Sequence, residues 1–377
     1  MSSSQLKIAS HYLLTPQGFY KRPLLTIDAA TGDILSLEEY DEGMLDRMAG
    51  VEFFPGLICR GLVNAHCHVE LSYLLNAIEP GGGYANFAAG MAAKRDKFTA
   101  EQRIEAMQRA DRSMWEEGID AVGDIVNDST SFPVKECSPI EYHSFAEVFG
   151  LRQSNIEACR KLLHNPNTAL TPHSTYSIQE GDLRSVCNES NGTNMAPLSI
   201  HFMESADELL LYIGKGRLHD WYSAVGFTCD FLHYDSPAHR IASCVPKDRP
   251  LMLVHNSYIT QQDIDIIMEH RTAPTYWVLC PRSNKYISGI EPQSVELLRK
   301  NRLRICVGTD SLASNTSLSI IEELKAFHGV PLDELLQWAT TNGAEALGVD
   351  NRGWVVISGV DMERMTLTPQ SKAQRVL

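Results

Sequence analysis

The chain has 377 residues, 44% of them hydrophobic and 21% charged, which excludes a disordered polypeptide and leaves room for one large core with a small appendage. A formal net charge of −14 excludes a binder of phosphate backbones, which needs a basic face, and reads instead as a solvated acidic surface. The nine cysteines form no C-x-x-C pair, residues 1–7 carry no apolar signal core, and no run reaches the ~18 apolar residues of a membrane helix; a cytoplasmic protein with reduced cysteines and neither nucleic-acid nor membrane partners is expected.

Residues 1–57 read as short strands and turns, at 6–14, 24–28 and 34–35, the last after a Thr31-Gly32-Asp33 turn. The pattern then changes at Gly61-Leu62-Val63-Asn64-Ala65-His66-Cys67-His68. As a strand, this run places Leu62, Asn64, His66 and His68 on one face and Val63, Ala65 and Cys67 on the other. Both imidazoles then point at one spot, while Cys67 packs behind them. Gly81-Gly82-Gly83-Tyr84 follows as a candidate flap. Thr99 with Gln102 forms a capping box that opens a helix, which Gly118 ends.

From there strand and helix alternate. Strands are predicted at 119–126, 142–149, 169–171, 198–202, 251–254, 276–279 and 305–309, and further helix starts at Ser205 with Glu208, Thr260 with Asp263 and Ser319 with Glu322. Eight strands between Gly61 and Gly348 are the arithmetic of a distorted (β/α)8 TIM barrel over residues 58–348. An open doubly wound sheet would announce a nucleotide with G-x-G-x-x-G after its first strand, and none is present. Residues 214–250, rich in aromatics, are either a lid or ordinary packing outside the barrel. Strands at 354–357 and 365–367 return to the N-terminal segment, so that 1–57 and 349–377 together make a small β-sandwich.

Barrel enzymes carry their chemistry at the C-terminal ends of the strands. Here those ends hold His66 and His68 on strand one, His201 with Glu204 on strand five, His255 on strand six and Asp310 on strand eight. Three histidines or more completed by a carboxylate suit Zn²⁺ or Fe²⁺. Other metal motifs fail: His68-Val69-Glu70 is an H-x-E without the P-C-x-x-C of the base-editing deaminases, and there is no H-E-x-x-H.

The stretches 61–68, 199–204, 253–256, 280–284 and 308–314, in that order along nearly the whole chain, resemble the amidohydrolase superfamily. The likeness is closest to its cytosine, guanine and adenosine aminohydrolase branch, and 66–72 and 309–315 look most like the aminofutalosine-deaminase type. That resemblance implies one divalent metal per chain, Zn²⁺ or alternatively Fe²⁺, held by His66, His68, His201 and Asp310, with water completing the shell. It also implies catalytic roles. Asp310 takes the proton of a water made acidic by the metal, Glu204 protonates a ring nitrogen and then the departing amine, and His255 holds the attacking oxygen. Segment 167–177 has no lysine to bridge two metals, so the expected site is mononuclear. His173 there resembles a substrate-contacting histidine, and Glu70 and Arg152 are further candidates for substrate binding. The expected activity is hydrolytic deamination of a small heterocycle, with a homodimer as the assembly that suits the family. The alternatives are hydrolysis of another C–N or a C–Cl bond, or a silent barrel serving as a binding subunit.

Overall fold

A computed structural model describes residues 5–41, 43, 49–189, 196–289, 291 and 294–377; residues 1–4, part of the segment read above as lacking a signal core, lie outside the described residues. Five strands come first: β1 (Gln5–Thr15), β2 (Gly18–Lys21), β3 (Pro23–Asp28), β4 (Ile34–Glu39) and β5 (Val51–Arg60). Eight follow in the body of the chain: β6 (Leu62–Cys67), β7 (Ile119–Val126), β8 (Glu141–Val148), β9 (Thr168–Pro172), β10 (Leu198–Phe202), β11 (Leu251–His255), β12 (Thr275–Leu279) and β13 (Arg304–Val307). Two close the chain, β14 (Trp354–Ser358) and β15 (Lys372–Arg375).

The terminal strands join, as expected, into one mixed sheet of order β15-β14-β5-β1-β3-β4 with β2 on β1. Alternating apolar residues drive it: Ile8, Leu13, Leu25, Ile27, Ile58, Trp354 and Val356 bury one another, and the Trp354 indole N–H donates to the Gly32 carbonyl at 2.9 Å. The expected strand at 365–367 is not one. Thr366 makes only an isolated bridge to Asp361, and the partner of β14 is β15. Arg375 ties this sheet to the barrel through a 2.7 Å ion pair with Asp120.

The barrel is two parallel four-stranded sheets, β6-β7-β8-β9 and β10-β11-β12-β13. Its interior is packed by Val63, Ala65, Phe145, Met252, Val254, Val278 and Cys306; the alternate residues Leu62, Cys67, Leu253, Trp277 and Ile305 face the surrounding helices. This corrects the facing predicted for the first strand. Leu62 lies outside, and Val63 and Ala65 lie inside. The register explains it: Asn64 pairs with Val122 but Cys67 with Asp124, so β6 carries one extra residue, a bulge that flips parity between Asn64 and Cys67. After the bulge Cys67 does face outward, as expected.

The sheets meet at two seams, each stitched near the C-terminal ends. Between β9 and β10, the His201 N–H donates to the His173 carbonyl (2.9 Å), and the Thr171 hydroxyl both accepts from the Ser199 N–H and donates to the Ser199 carbonyl. Between β13 and β6, the Thr309 and Asp310 N–H groups donate to the His66 carbonyl (3.0 Å each), and Asn64 brackets Thr309.

The capping boxes at Thr99 and Thr260 form, and Ser319 caps its helix through the Glu322 N–H. Ser205 does not cap with its side chain; Glu208 instead turns inward onto Thr175 (2.5 Å) and the Glu204 N–H (3.3 Å). Within residues 214–250, Tyr222 and Phe231 are buried with Tyr176, Leu211 and Tyr212. Among the described residues no helix is long and apolar enough to cross a membrane.

Candidate active site

The strand ends bring together the histidines that lie far apart in sequence. His66 sits with its ring centroid 5.0 Å from that of His68, 4.9 Å from His201 and 5.9 Å from His255. The His68 and His201 Nε2 atoms are 3.4 Å apart, and Asp310 Oδ1 lies 3.4 Å from His68 Nε2 and 3.9 Å from His66 Nε2. The approach of the strands is tight: a Cβ on Gly308 would come within 2.8 Å of the His66 carbonyl oxygen, so Val307-Gly308-Thr309-Asp310 passes only because residue 308 has none. Met203, His255, Asn256 and Asp310 all hold positive φ, 49°, 79°, 56° and 56°. Each costs on the order of 1 kcal/mol in a non-glycine residue, and they are the turns by which three strands swing their terminal side chains over the mouth.

Hydrogen bonds fix which ring nitrogens are free. The His201 Nδ1 lies 2.9 Å from the His173 carbonyl, which only accepts, so Nδ1 carries the proton and Nε2 keeps a lone pair. His255 Nδ1 is held the same way by Asn284 Oδ1 at 2.8 Å. Among the described residues neither ring nitrogen of fully buried His66 has a hydrogen-bond partner. Buried polar atoms are seldom left so. Asp310 Oδ2 is saturated by the Ser283 (2.5 Å) and Ser314 (2.8 Å) hydroxyls, leaving Oδ1 toward the histidines. His66, His68 and His201 offer ligand atoms within 4.8 Å of one another. This donor set fits a divalent metal: convergent, buried imidazoles with free lone pairs and one free carboxylate oxygen.

Electrostatics divides the carboxyls. Burial raises the Asp310 carboxyl, but His68, His255, the Ser283 hydroxyl and His201 outweigh it, so its pKa lies below the ordinary value. Glu204 goes the other way: burial, then Asp310 and Glu208, push it well above the carboxylate range. Its Oε1 lies 3.9 Å from His255 Nε2. Burial also lowers His68 to about 3 and His255 to about 4, so both rings are neutral at pH 7.

The candidates for substrate contact separate. His173 is half-buried and stacks on His201 (centroids 4.7 Å apart), with Nδ1 on the Ser177 hydroxyl. Glu70 is half-buried and clamped by Asn127, whose backbone N–H and side-chain amide both donate to it at 3.0 Å. Arg152 is exposed, with its guanidinium 5.0 Å above the Phe227 ring and donating to the Val225 carbonyl. Sequence reasoning gave Ser283, Asn284, Glu208 and Glu147 no role at the centre. The last shares inward parity with Phe145 on β8, a signal that a strict count of alternation could have used.

A family model described as the amidohydrolase family matches residues 54–355, a span containing all eight barrel strands. The chain belongs to the amidohydrolase family. Within that family it is similar to an adenosine deaminase of Helicobacter pylori, at 28% identity over 80% of this chain and 76% of that protein. Among solved structures, aminofutalosine deaminase of Helicobacter pylori in complex with methylthio-coformycin superposes with a TM-score of 0.82 at 24% identity, covering 99% of this chain and 100% of that one. Atrazine chlorohydrolase of Arthrobacter aurescens, complexed with zinc, gives 0.72 at 14% identity over 96% and 89%. This amidohydrolase therefore shares its fold with enzymes that expel different leaving groups.

Proposed function

We propose that this amidohydrolase is a hydrolytic deaminase that replaces the amino group of a purine-type heterocycle by a carbonyl oxygen and releases ammonia. The observation that carries this reading is the placing of two carboxyls with opposite tendencies beside the His66/His68/His201 cluster: Asp310, 3.4 Å from His68 and shifted below the ordinary range, and Glu204, 3.9 Å from His255 and pushed well above it by burial. Pairs of carboxyls pushed apart in this way divide into acid and base. The naming of the relatives as adenosine and aminofutalosine deaminases supports a 6-amino purine nucleoside as substrate class.

His66, His68, His201 and Asp310 would hold one ion, with Zn²⁺ favoured by the nitrogen-rich donor set and by the zinc in the chlorohydrolase of the same fold. When bound, such an ion would supply a water of pKa ~7. Asp310, ionised, accepts the proton of the attacking water through Oδ1. Glu204, its carboxyl pushed well above the ordinary range, donates its proton to a ring nitrogen of the heterocycle and so makes the adjacent carbon electrophilic; it then takes the hydroxyl proton of the tetrahedral adduct and passes it to the leaving amine as the carbonyl forms, and the proton held by Asp310 restores the Glu204 acid. His255, its Nδ1–H anchored on Asn284, turns a lone pair toward the water and fixes the direction of attack. His173 and Glu70 line the approach to this centre. An acid at Glu204 is what an amine leaving group requires and a chloride does not. The nine free thiols, seven of them buried, suit a reducing, cytoplasmic setting.

The test is metal analysis of the purified protein together with a screen for ammonia and chloride release over adenosine, methylthioadenosine, aminofutalosine-like nucleosides, guanine and chlorotriazines. About one ion per chain and ammonia from a 6-amino purine nucleoside are expected. Chloride without ammonia, or no metal after supplementation, would overturn the reading.

A further inference from the structure

One buried carboxylate beside the centre has no part in the reaction described above. Glu147, the penultimate residue of β8, points into the barrel and is 4% exposed. Its Oε1 lies 3.4 Å from His201 Nδ1 and, among the described residues, has no hydrogen bond of standard geometry; its Oε2 is reached by the Asn127 amide at 3.4 Å. Asn127 is itself locked onto Glu70. The result is a chain of side chains, Glu70 to Asn127 to Glu147 to His201, that leads to the ring proposed above as a metal ligand.

Glu147, His173 and His201 also place ligand atoms within 4.8 Å of one another, which poses the question of a second ion. The hydrogen bonds answer it. His201 presents Nδ1 to Glu147, and that nitrogen carries its proton because a carbonyl faces it at 2.9 Å; a protonated nitrogen does not ligate. His173 Nδ1 is engaged by Ser177. What Glu147 faces is an N–H, and a carboxylate facing the N–H of a metal-bound imidazole is the arrangement that fixes tautomer and ring rotation and makes the other nitrogen a better donor.

The geometry points to Glu147 as the positioning residue of the metal centre, acting through His201 and held in place by Asn127. This rests on the metal site proposed above and assigns a residue outside its ligand set. The backbone carbonyl of His173 alone could orient the ring, but it is neutral; the charge of Glu147 strengthens the His201 donor without touching the ion.

The experiment compares the full-length protein with Glu147→Gln, measuring Zn²⁺ affinity by competition with a chromophoric chelator and the visible spectrum of the Co²⁺-substituted protein. The expected result is Zn²⁺ bound about 10–100-fold more weakly, the range typical of such partners, with one ion per chain and an altered Co²⁺ band. Asn127→Leu leaves Glu147 in place without its anchor, and a smaller loss in the same direction is expected there. Should Glu147→Gln not fold, Asn127→Leu decides. Unchanged Zn²⁺ affinity and Co²⁺ spectrum in both variants would overturn the assignment while leaving the metal site standing. Two ions in the wild type with one lost in Glu147→Gln would make Glu147 a ligand and overturn it as well. A wild type that binds no Zn²⁺ removes the site itself, and this inference with it.

Discussion

Two histidines at opposite ends of the barrel, His66 at the mouth and His143 at the base, look alike one at a time. Each has a ring nitrogen without a partner among the described residues, and burial lowers the pKa of each, His143 to about 4. Their neighbours differ. His143 stacks on Phe145 (4.8 Å) beside the 344–347 segment that plugs the base with Ala344, Ala346 and Leu347, whereas His66 meets three further imidazoles and Asp310. An orphaned, neutral imidazole is thus not in itself a ligand; convergence of several donors on one point makes the site.

Removing a donor from the mouth should break that distinction most. His66→Ala or Asp310→Ala is expected to abolish metal uptake and lower deamination by more than about 10³-fold, since groups acting as a unit fail together; metal analysis and ammonia release check both. Glu204→Gln should separate chemistry from binding, losing about 10²–10⁴-fold in rate while the metal content stays at the wild-type value. Stripping the ion with a chelator should lower the melting temperature, because a ligand present at 1,000 times its Kd adds about 4 kcal/mol to the folded state; Asp310→Ala should show no such dependence.

At the base, His143→Phe should leave metal content and turnover unchanged. Its effect belongs to the acid limb of stability. The folded chain keeps His143 neutral down to about pH 4 while the unfolded chain takes a proton near 6.5, so stability falls as pH drops through that window. The variant should therefore lose less stability on acidification, as denaturant titrations at pH 7 and pH 5 would show. A His143→Phe protein without its metal would erase the contrast between the two ends.

Where the candidate groups of the mouth lie was legible because groups at strand ends need only strand boundaries, and those follow apolar runs and caps. His66, His68, His201, His255, Glu204 and Asp310 all fall where the runs stop. What depends on parity or on distant packing was not. The bulge between Asn64 and Cys67 inverts the faces of one strand without a glycine or proline of its own to announce it; the glycine that makes room for it, Gly123, is on the neighbouring strand. Ser205 and Glu208 have capping-box spacing, but Thr175, 33 residues away, offers Glu208 a better partner. Arg152 reads as a candidate for substrate binding just after a strand; its guanidinium lies over Phe227 and donates to the Val225 carbonyl, a contact that only the fold of 214–250 creates.

The seams of the barrel carry a last consequence. Within each four-stranded half the backbone ladder is continuous, while the halves are joined chiefly where His173 meets His201 and where His66 meets Thr309 and Asp310. His66 and His68 come from one half and His201 and Asp310 from the other. An ion shared among them, as proposed, would be a clasp across the two halves, and losing it would loosen both joints at once and let the halves breathe against each other. Amide exchange at residues 201, 309 and 310 should then quicken together while strand centres such as Phe145 and Leu253 stay protected. In such a molecule the act of arming the catalyst is also the act of shutting the barrel.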